Sequence, residues 1–243
     1  MDYSVIIPVH NEADTVEPLY GTLQKTMRKL GGAYEIIFVD DGSTDGSAEN
    51  VKRLGTDGGN LVLLALQKRY GLSTALQAGF DIAKGDVVVT LDGDLQNDPE
   101  DIPKLLSKIK EGFDVVCGWR SPRRDNLSKR AASGLANSFR RHCLGEKIHD
   151  VGCTLRIMKN KAARSLRLSG NLHRFISYLL AKQGFKIAEV KVTHHARRFG
   201  RSKFGIFHRA FEGIQDFFKI IFSRSGREAF QKTGYEIKET LRK

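Results

Sequence analysis

The sequence predicts an α/β domain in which a mostly parallel central sheet carries helices on both faces. Three observations support this. Four short runs, residues 3–9, 35–39, 61–66 and 87–91, are predominantly apolar, as strands buried on both sides must be. Stretches with helical periodicity separate them, so strand and helix alternate along the chain. The polar residues and glycines collect just after the strands, which in such sheets is the ligand-binding edge.

Taken in order, residues 3–9 form the first strand, and the turn from His10 to Thr15 leads into a helix with Leu19, Leu23 and Met27 on one face. Residues 35–39 form a second buried strand ending in Asp40, Asp41 and Gly42, with Ser43 or Thr44 placed to cap the next helix. The third strand, 61–66, is followed by Gly71 and a helix over about 73–84. Residues 87–91, three valines among them, form the fourth strand. A helix over 102–111 and a strand over 114–118 follow.

The fourth strand runs straight into two carboxylates, Asp92 and Asp94, separated by one glycine. Like charges this close raise each other's pKa, and a divalent cation removes that penalty. With the amide oxygen of Gln96 they are hard oxygen ligands of the kind Mg²⁺ or Mn²⁺ accepts, leaving positions for phosphate oxygens. A polar turn at a strand end is the plainer reading of the same residues. The other strand ends carry residues 8–12, Asp40 with Asp41, and residues 68–71, so a nucleotide-sized ligand suits this edge. A carboxylate at Asp40 or Asp41 can hold a base or a ribose. The first strand is not followed by Gly-x-Gly-x-x-Gly, which argues against a dehydrogenase.

Charge divides the chain. Residues 1–116 hold 11 Lys and Arg against 19 Asp and Glu, a net of −8; residues 117–243 hold 29 against 9, a net of +20. That excess points to an anionic partner, nucleic acid or an anionic membrane surface. The N-terminus passes directly into a strand without a secretion signal, and the three cysteines, Cys117, Cys143 and Cys153, lack metal-ligand spacing. Both suit a reducing cytoplasm. No apolar run approaches the ~20 residues that span a bilayer.

In the basic half, Trp119, Arg120, Arg123 and Arg124 precede a helix containing Lys129, Arg130, Arg140 and Arg141. Residues 150–156 lead into a strand, with helices expected up to about residue 168 and over 170–180, and a half-exposed strand over 187–194. His173, His194 and His195 lack a ligand spacing, which favours capping or hydrogen-bonding roles over metal binding. Residues 197–205 form a basic loop suited to phosphate. Over 206–222, Phe207, Phe211, Phe217, Phe218 and Phe222 recur at helical intervals, and basic residues flank them. Packing on the core is one reading; a helix lying in the membrane interface is the favoured one. Residues after Ser225 read as a polar, frayed tail.

These residues together resemble the family 2 glycosyltransferases with a GT-A fold, in particular the polyprenyl-phosphate (dolichyl- or undecaprenyl-phosphate) branch. VIIPVHNE (5–12), FVDDGSTD (38–45) and LDGDLQNDPE (91–100) carry the general resemblance; DVGCTLR (150–156), HRF (173–175) and GRSKF (200–204) carry the lipid-phosphate part. The resemblance implies that Pro8, Val9, Glu12 and Asp40, with Asp41, Lys68 and Gly71 nearby, surround a nucleotide-sugar donor. It implies that Asp92, Asp94 and Gln96 ligate Mg²⁺ or Mn²⁺ on the donor diphosphate. Arg120 and Arg130 would face the acceptor phosphate, and Arg201, Ser202 and Lys203 would close over the phosphates as a mobile loop. Many relatives have Arg-Asn before the glycine where this chain has Lys68, Arg69 and Tyr70, and many continue into transmembrane helices.

The resulting expectation is metal-dependent, inverting transfer of a monosaccharide to a polyprenyl phosphate at the cytoplasmic membrane face. The glycosyltransferase domain would occupy 1–205, with an amphipathic helix and tail over 206–243. The lipid would be reached by peripheral docking or through an integral-membrane partner. A soluble or polysaccharide acceptor is the alternative, but a neutral acceptor would not require the basic half. A nucleic-acid-binding module is disfavoured, since it leaves Asp92, Asp94 and Gln96 unexplained and no nucleic-acid motif is present.

Overall fold

The computed structural model describes residues 1–54, 60–121, 148–196 and 234–243. Its strands are β1 (Tyr3–Val9), β2 (Tyr34–Asp40), β3 (Leu61–Leu66), β4 (Val87–Thr90), β5 (Val115–Arg120), β6 (Arg156–Lys159), β7 (Ile187–Val192) and β8 (Ile237–Arg242). The helices are α1 (Ala13–Leu30), α2 (Ser47–Arg53), α3 (Leu72–Ile82), α4 (Ile102–Lys110), α5 (Asn160–Ser165) and α6 (Ile176–Lys182). The strands join in one sheet in the order β7-β5-β6-β4-β1-β2-β3-β8. Only β6 and β8 run antiparallel to their neighbours; β1–β2, β1–β4, β2–β3 and β5–β7 are parallel pairs.

Strand periodicity divides the core between the two faces of the sheet. Val5, Ile7, Ile36, Phe38, Leu61 and Leu63 pack with α1, α2 and α4, whereas Ile6, Ile37, Val62 and Leu64 pack with α3, α5 and α6. In α1 the fully buried Val16, Leu19, Leu23 and Met27 form the predicted apolar face. Pro18 sits inside this helix and costs roughly 3 kcal/mol through a lost hydrogen bond. Four buried side chains at about 2 kcal/mol each outweigh it.

Three local expectations are revised. Neither Ser43 nor Thr44 caps α2: the helix starts at Ser47 after Gly46, which is left-handed at φ 89°. The Ser43 hydroxyl instead accepts from the Asn11 amide at 2.9 Å, tying two loops together. After β6, helix α5 ends at Ser165, and residues 172–175 form a 3-10 turn before α6. Residues 237–242 are not frayed. They form β8, antiparallel to β3, because a fully buried apolar strand needs partners for the peptide groups on its open side. The buried Glu35 receives Arg242 at 3.4 Å and the Ser4 hydroxyl at 2.6 Å, which anchors β8 to the strands beneath it.

Candidate active site

The carboxyl ends of β1, β2, β3 and β4 share one edge, and their loops are cross-stitched. Asn11, left-handed at φ 54°, accepts from the Thr44 amide through Oδ1 at 2.8 Å. The Glu12 amide donates to Ser47 Oγ at 2.9 Å, the Ala13 amide to Asp45 Oδ2 at 3.0 Å, and His10 Nδ1 contacts the Asp41 carbonyl at 2.8 Å. Pro8 and Val9 lie at the end of β1, with Val9 paired opposite Asp40.

Asp40 and Asp41 have different surroundings. Both oxygens of Asp41 accept backbone amides, Tyr70 at 2.6 Å and Gly71 at 2.8 Å, so its carboxylate holds the 68–71 loop. Gly42 allows this approach: a Cβ there would lie 2.5 Å from the Lys68 carbonyl carbon, and its φ is +65°. Lys68 is exposed, and its Nζ lies 5.4 Å from the centre of the Tyr70 ring. Asp40 uses Oδ2 to accept the Ser43 amide at 3.2 Å, while its buried Oδ1 has no hydrogen-bond partner among the described residues. Burial raises the pKa of this carboxyl above the usual carboxylate value. Asp40 lines a cavity of about 330 Å³ together with Ser43, Lys52 and Lys68.

The acid pair follows β4. Gly93 packs so tightly on β1 that an added Cβ would fall 2.9 Å from Val9 Cγ1. Leu95 is left-handed at φ 60°, a conformation that costs about 1–2 kcal/mol in a residue with a Cβ. That turn brings the Gln96 amide to Asp94 Oδ1 at 3.1 Å. Asp92 is half-buried, and desolvation together with the Asp94 carboxylate pushes its pKa up to about 6. A hydrogen bond from Thr154 and the charges of Arg120 and Arg156 oppose this rise. The segment after β7 holds the acid loop from outside: the His195 amide donates to the Gln96 carbonyl at 2.9 Å, and His195 Nε2 meets Asp98 at 3.0 Å. The His173 ring pairs with Ser73 at 2.9 Å, so His173 and His195 both have hydrogen-bonding roles. Among the described residues no three His, Cys, Asp or Glu side chains cluster as metal ligands.

Arg120 ends β5 on this same edge. Its guanidinium is held by the buried Asp150, Nε to Oδ2 at 2.7 Å and Nη2 to Oδ1 at 2.9 Å. The sequence reading missed Asp150, Thr154 and Arg156 as parts of the site. Their only signal was the 150–156 motif, whose partners lie in other strands. Arg156 is 4% exposed and donates to the Val151 carbonyl at 2.7 Å. Arg130, Arg201, Ser202, Lys203 and the 206–222 helix lie outside the described residues.

A mostly parallel sheet with helices on both faces, a cavity beside one strand end and paired acids at another, is an α/β fold of the GT-A type. The chain belongs to glycosyl transferase family 2, whose model matches residues 4–167. It is 38% identical over 227 residues to a dodecaprenyl-phosphate galacturonate synthase of Rhizobium johnstonii, covering 91% of this chain and 67% of that protein. It is 37% identical over 204 residues to an undecaprenyl-phosphate 4-deoxy-4-formamido-L-arabinose transferase of Edwardsiella ictaluri, covering 84% of this chain and 63% of that one. The chain thus spans about two thirds of the length of these relatives. In fold it is similar to glucosyl-3-phosphoglycerate synthase of Mycobacterium tuberculosis in complex with Mn²⁺, uridine diphosphate and phosphoglyceric acid. That likeness has a TM-score of 0.68 at 19% identity and covers 90% of this chain and 77% of the other.

Proposed function

We propose that the protein transfers a monosaccharide, with inversion, from a nucleoside-diphosphate sugar to a polyprenyl phosphate at the cytoplasmic face of a membrane. The observation that carries this reading is the acid loop beside the Asp40 cavity in a chain whose relatives are named for polyprenyl-phosphate products. Asp40 and the acid loop follow strands separated by β1 alone, roughly 10 Å apart at two strand spacings, the reach of a nucleoside from base to phosphate.

The geometry supports a role for each residue. The unpartnered Asp40 Oδ1 accepts an N–H of the base, a bond that offsets the desolvation this carboxyl already bears. Pro8, Val9 and Glu12 flank the nucleoside, and Asp41 keeps the 68–71 loop in place beneath it. Asp92, Asp94 and Gln96 would hold Mg²⁺ or Mn²⁺; the fit is chemical, since the Asp94 carboxylate beside Asp92 raises the pKa of Asp92, and a cation between two hard carboxylates relieves that repulsion. When bound, the ion supplies neutralisation of charge on the leaving diphosphate. The acceptor phosphate has a second pKa of about 6 and is largely dianionic at neutral pH, so it needs little help from a general base. Cations must instead draw two anionic substrates together. Arg120, oriented by Asp150, points such a cation from the same edge as the acid pair. Arg130, Arg201, Ser202 and Lys203 add to it on the sequence reading.

Among the described residues no helix is long and apolar enough to cross a membrane. The basic half, with a net charge of +20, and the phenylalanine stripe over 206–222 support peripheral docking on anionic lipid. The test is a screen of nucleotide sugars against short polyprenyl phosphates and soluble phosphate acceptors, with Mg²⁺, Mn²⁺ or EDTA. The expected product is a lipid-linked sugar of inverted anomeric configuration, formed only with metal. Transfer confined to a soluble acceptor would overturn the lipid assignment.

A further inference from the structure

The polar segment that forms β8 has a position that suggests more than edge protection. Glu239 pairs with Ala65 of β3, which in turn pairs with Asp40 of β2. The middle of β8 therefore lies one strand beyond the Asp40 cavity, and Lys238 and Glu239 both line that cavity. Glu239 Oε2 meets Lys52 Nζ of α2 at 2.5 Å, so strand and helix are joined there by an ion pair. The residues just before β8 grip the neighbouring loop. The Gln67 amide donates to the Glu236 carbonyl at 2.9 Å, and the Glu236 amide donates to the Tyr70 hydroxyl at 3.2 Å. Tyr235 donates its hydroxyl to Asp81 of α3 at 2.9 Å. This is the same loop that Asp41 clamps, and Gln67, Lys68 and Arg69 line the cavity. The lining is mixed, with Asp40, Glu49 and Glu239 against Lys52, Lys68, Arg69 and Lys238, so cations are in excess, as an anionic nucleotide requires.

We propose that β8 is the outer wall of the nucleoside pocket and that Lys238 and Glu239 are donor-positioning residues, so nucleotide binding and docking of residues 234–243 stabilise each other. This rests on reading the Asp40 cavity as part of the donor site. The coupling is a linkage requirement: a ligand that touches both pieces of a pocket favours the state in which both are assembled. Lys238 is exposed and Glu239 half-exposed, so each can be changed without opening the core.

Two measurements test it on the full chain. Hydrogen exchange is followed with and without UDP or GDP, each with Mn²⁺, and nucleotide affinity is measured by calorimetry for the wild type, Lys238→Ala and Glu239→Ala. Nucleotide is expected to slow exchange of the 237–242 amides several-fold. The substitutions are expected to weaken its binding about tenfold and raise the donor KM with kcat preserved. Nucleotide binding that leaves exchange over 237–242 unchanged overturns the proposal, as do two variants that bind like the wild type. A wild type that binds neither diphosphate overturns the donor-site reading itself. The exchange experiment needs no variant, so it decides even if a substitution impairs folding.

Discussion

Replacing Asp41 with alanine separates a structural clamp from a ligand contact. Asp41 is 4% exposed, and its two oxygens accept the Tyr70 and Gly71 amides at 2.6 and 2.8 Å. A hydrogen bond to a charged group contributes roughly 1.5–3 kcal/mol. Losing two would cost about 3–6 kcal/mol, and the lower end applies because the half-buried loop can draw water to the freed amides. In a chain of this size 1 kcal/mol moves the melting temperature by about 2–4 °C, so Asp41→Ala should melt roughly 6–12 °C below the wild type. Asp41→Asn keeps one acceptor and the shape, and should lose about half as much. Differential scanning calorimetry reads both, with UDP affinity measured well below the transition. A variant that melts within about 2 °C of the wild type yet no longer binds nucleotide would refute the clamp and make Asp41 a ligand contact.

Asp92→Asn and Asp94→Asn should each abolish transfer without preventing folding; near-normal wild-type turnover in EDTA would remove the metal from the scheme. Because Asp92 titrates at about 6 rather than near 3.8, the folded protein holds an extra proton between those values, and stability without metal falls as pH rises through that window. Added Mn²⁺ should oppose this fall and Asp92→Asn should remove it, so pH-melting curves that coincide for wild type and variant would contradict the assignment. Gly42→Ala forces a left-handed residue and a Cβ 2.5 Å from the Lys68 carbonyl carbon, a cost of about 2 kcal/mol or more. It should displace the 68–71 loop and weaken UDP binding; unchanged affinity by calorimetry would count against the close packing. Phe217→Ser with Phe218→Ser should abolish flotation with anionic vesicles at low salt while melting normally, and loss of folding instead would assign the stripe to the core.

Much of the fold was legible because its signals are local. The runs at β1 to β4 announce buried strands through their own composition, and all four strands emerge within a residue or two of the expected bounds. The acid pair was legible for the same reason, since Asp92 and Asp94 are neighbours in the chain. Ser43 was misassigned because its hydroxyl had two possible donors. The nearer suggests a cap, but the distant Asn11 amide is the one that donates to it.

The sequence by itself determined the alternation of strand and helix, the polar edge, the acid pair and the split of charge, all of which depend on side chains within a few residues of one another. The tertiary structure decided which of two adjacent aspartates keeps an open acceptor among the described residues: both oxygens of Asp41 are taken by amides 29 and 30 residues away, whereas Asp40 Oδ1 has no partner there. It also decided that Arg120 is oriented by Asp150, 30 residues on, and that residues 237–242 form a strand. A polar segment carries no strand signal of its own; the open edge of β3 supplies the hydrogen bonds, and only the folded sheet has that edge.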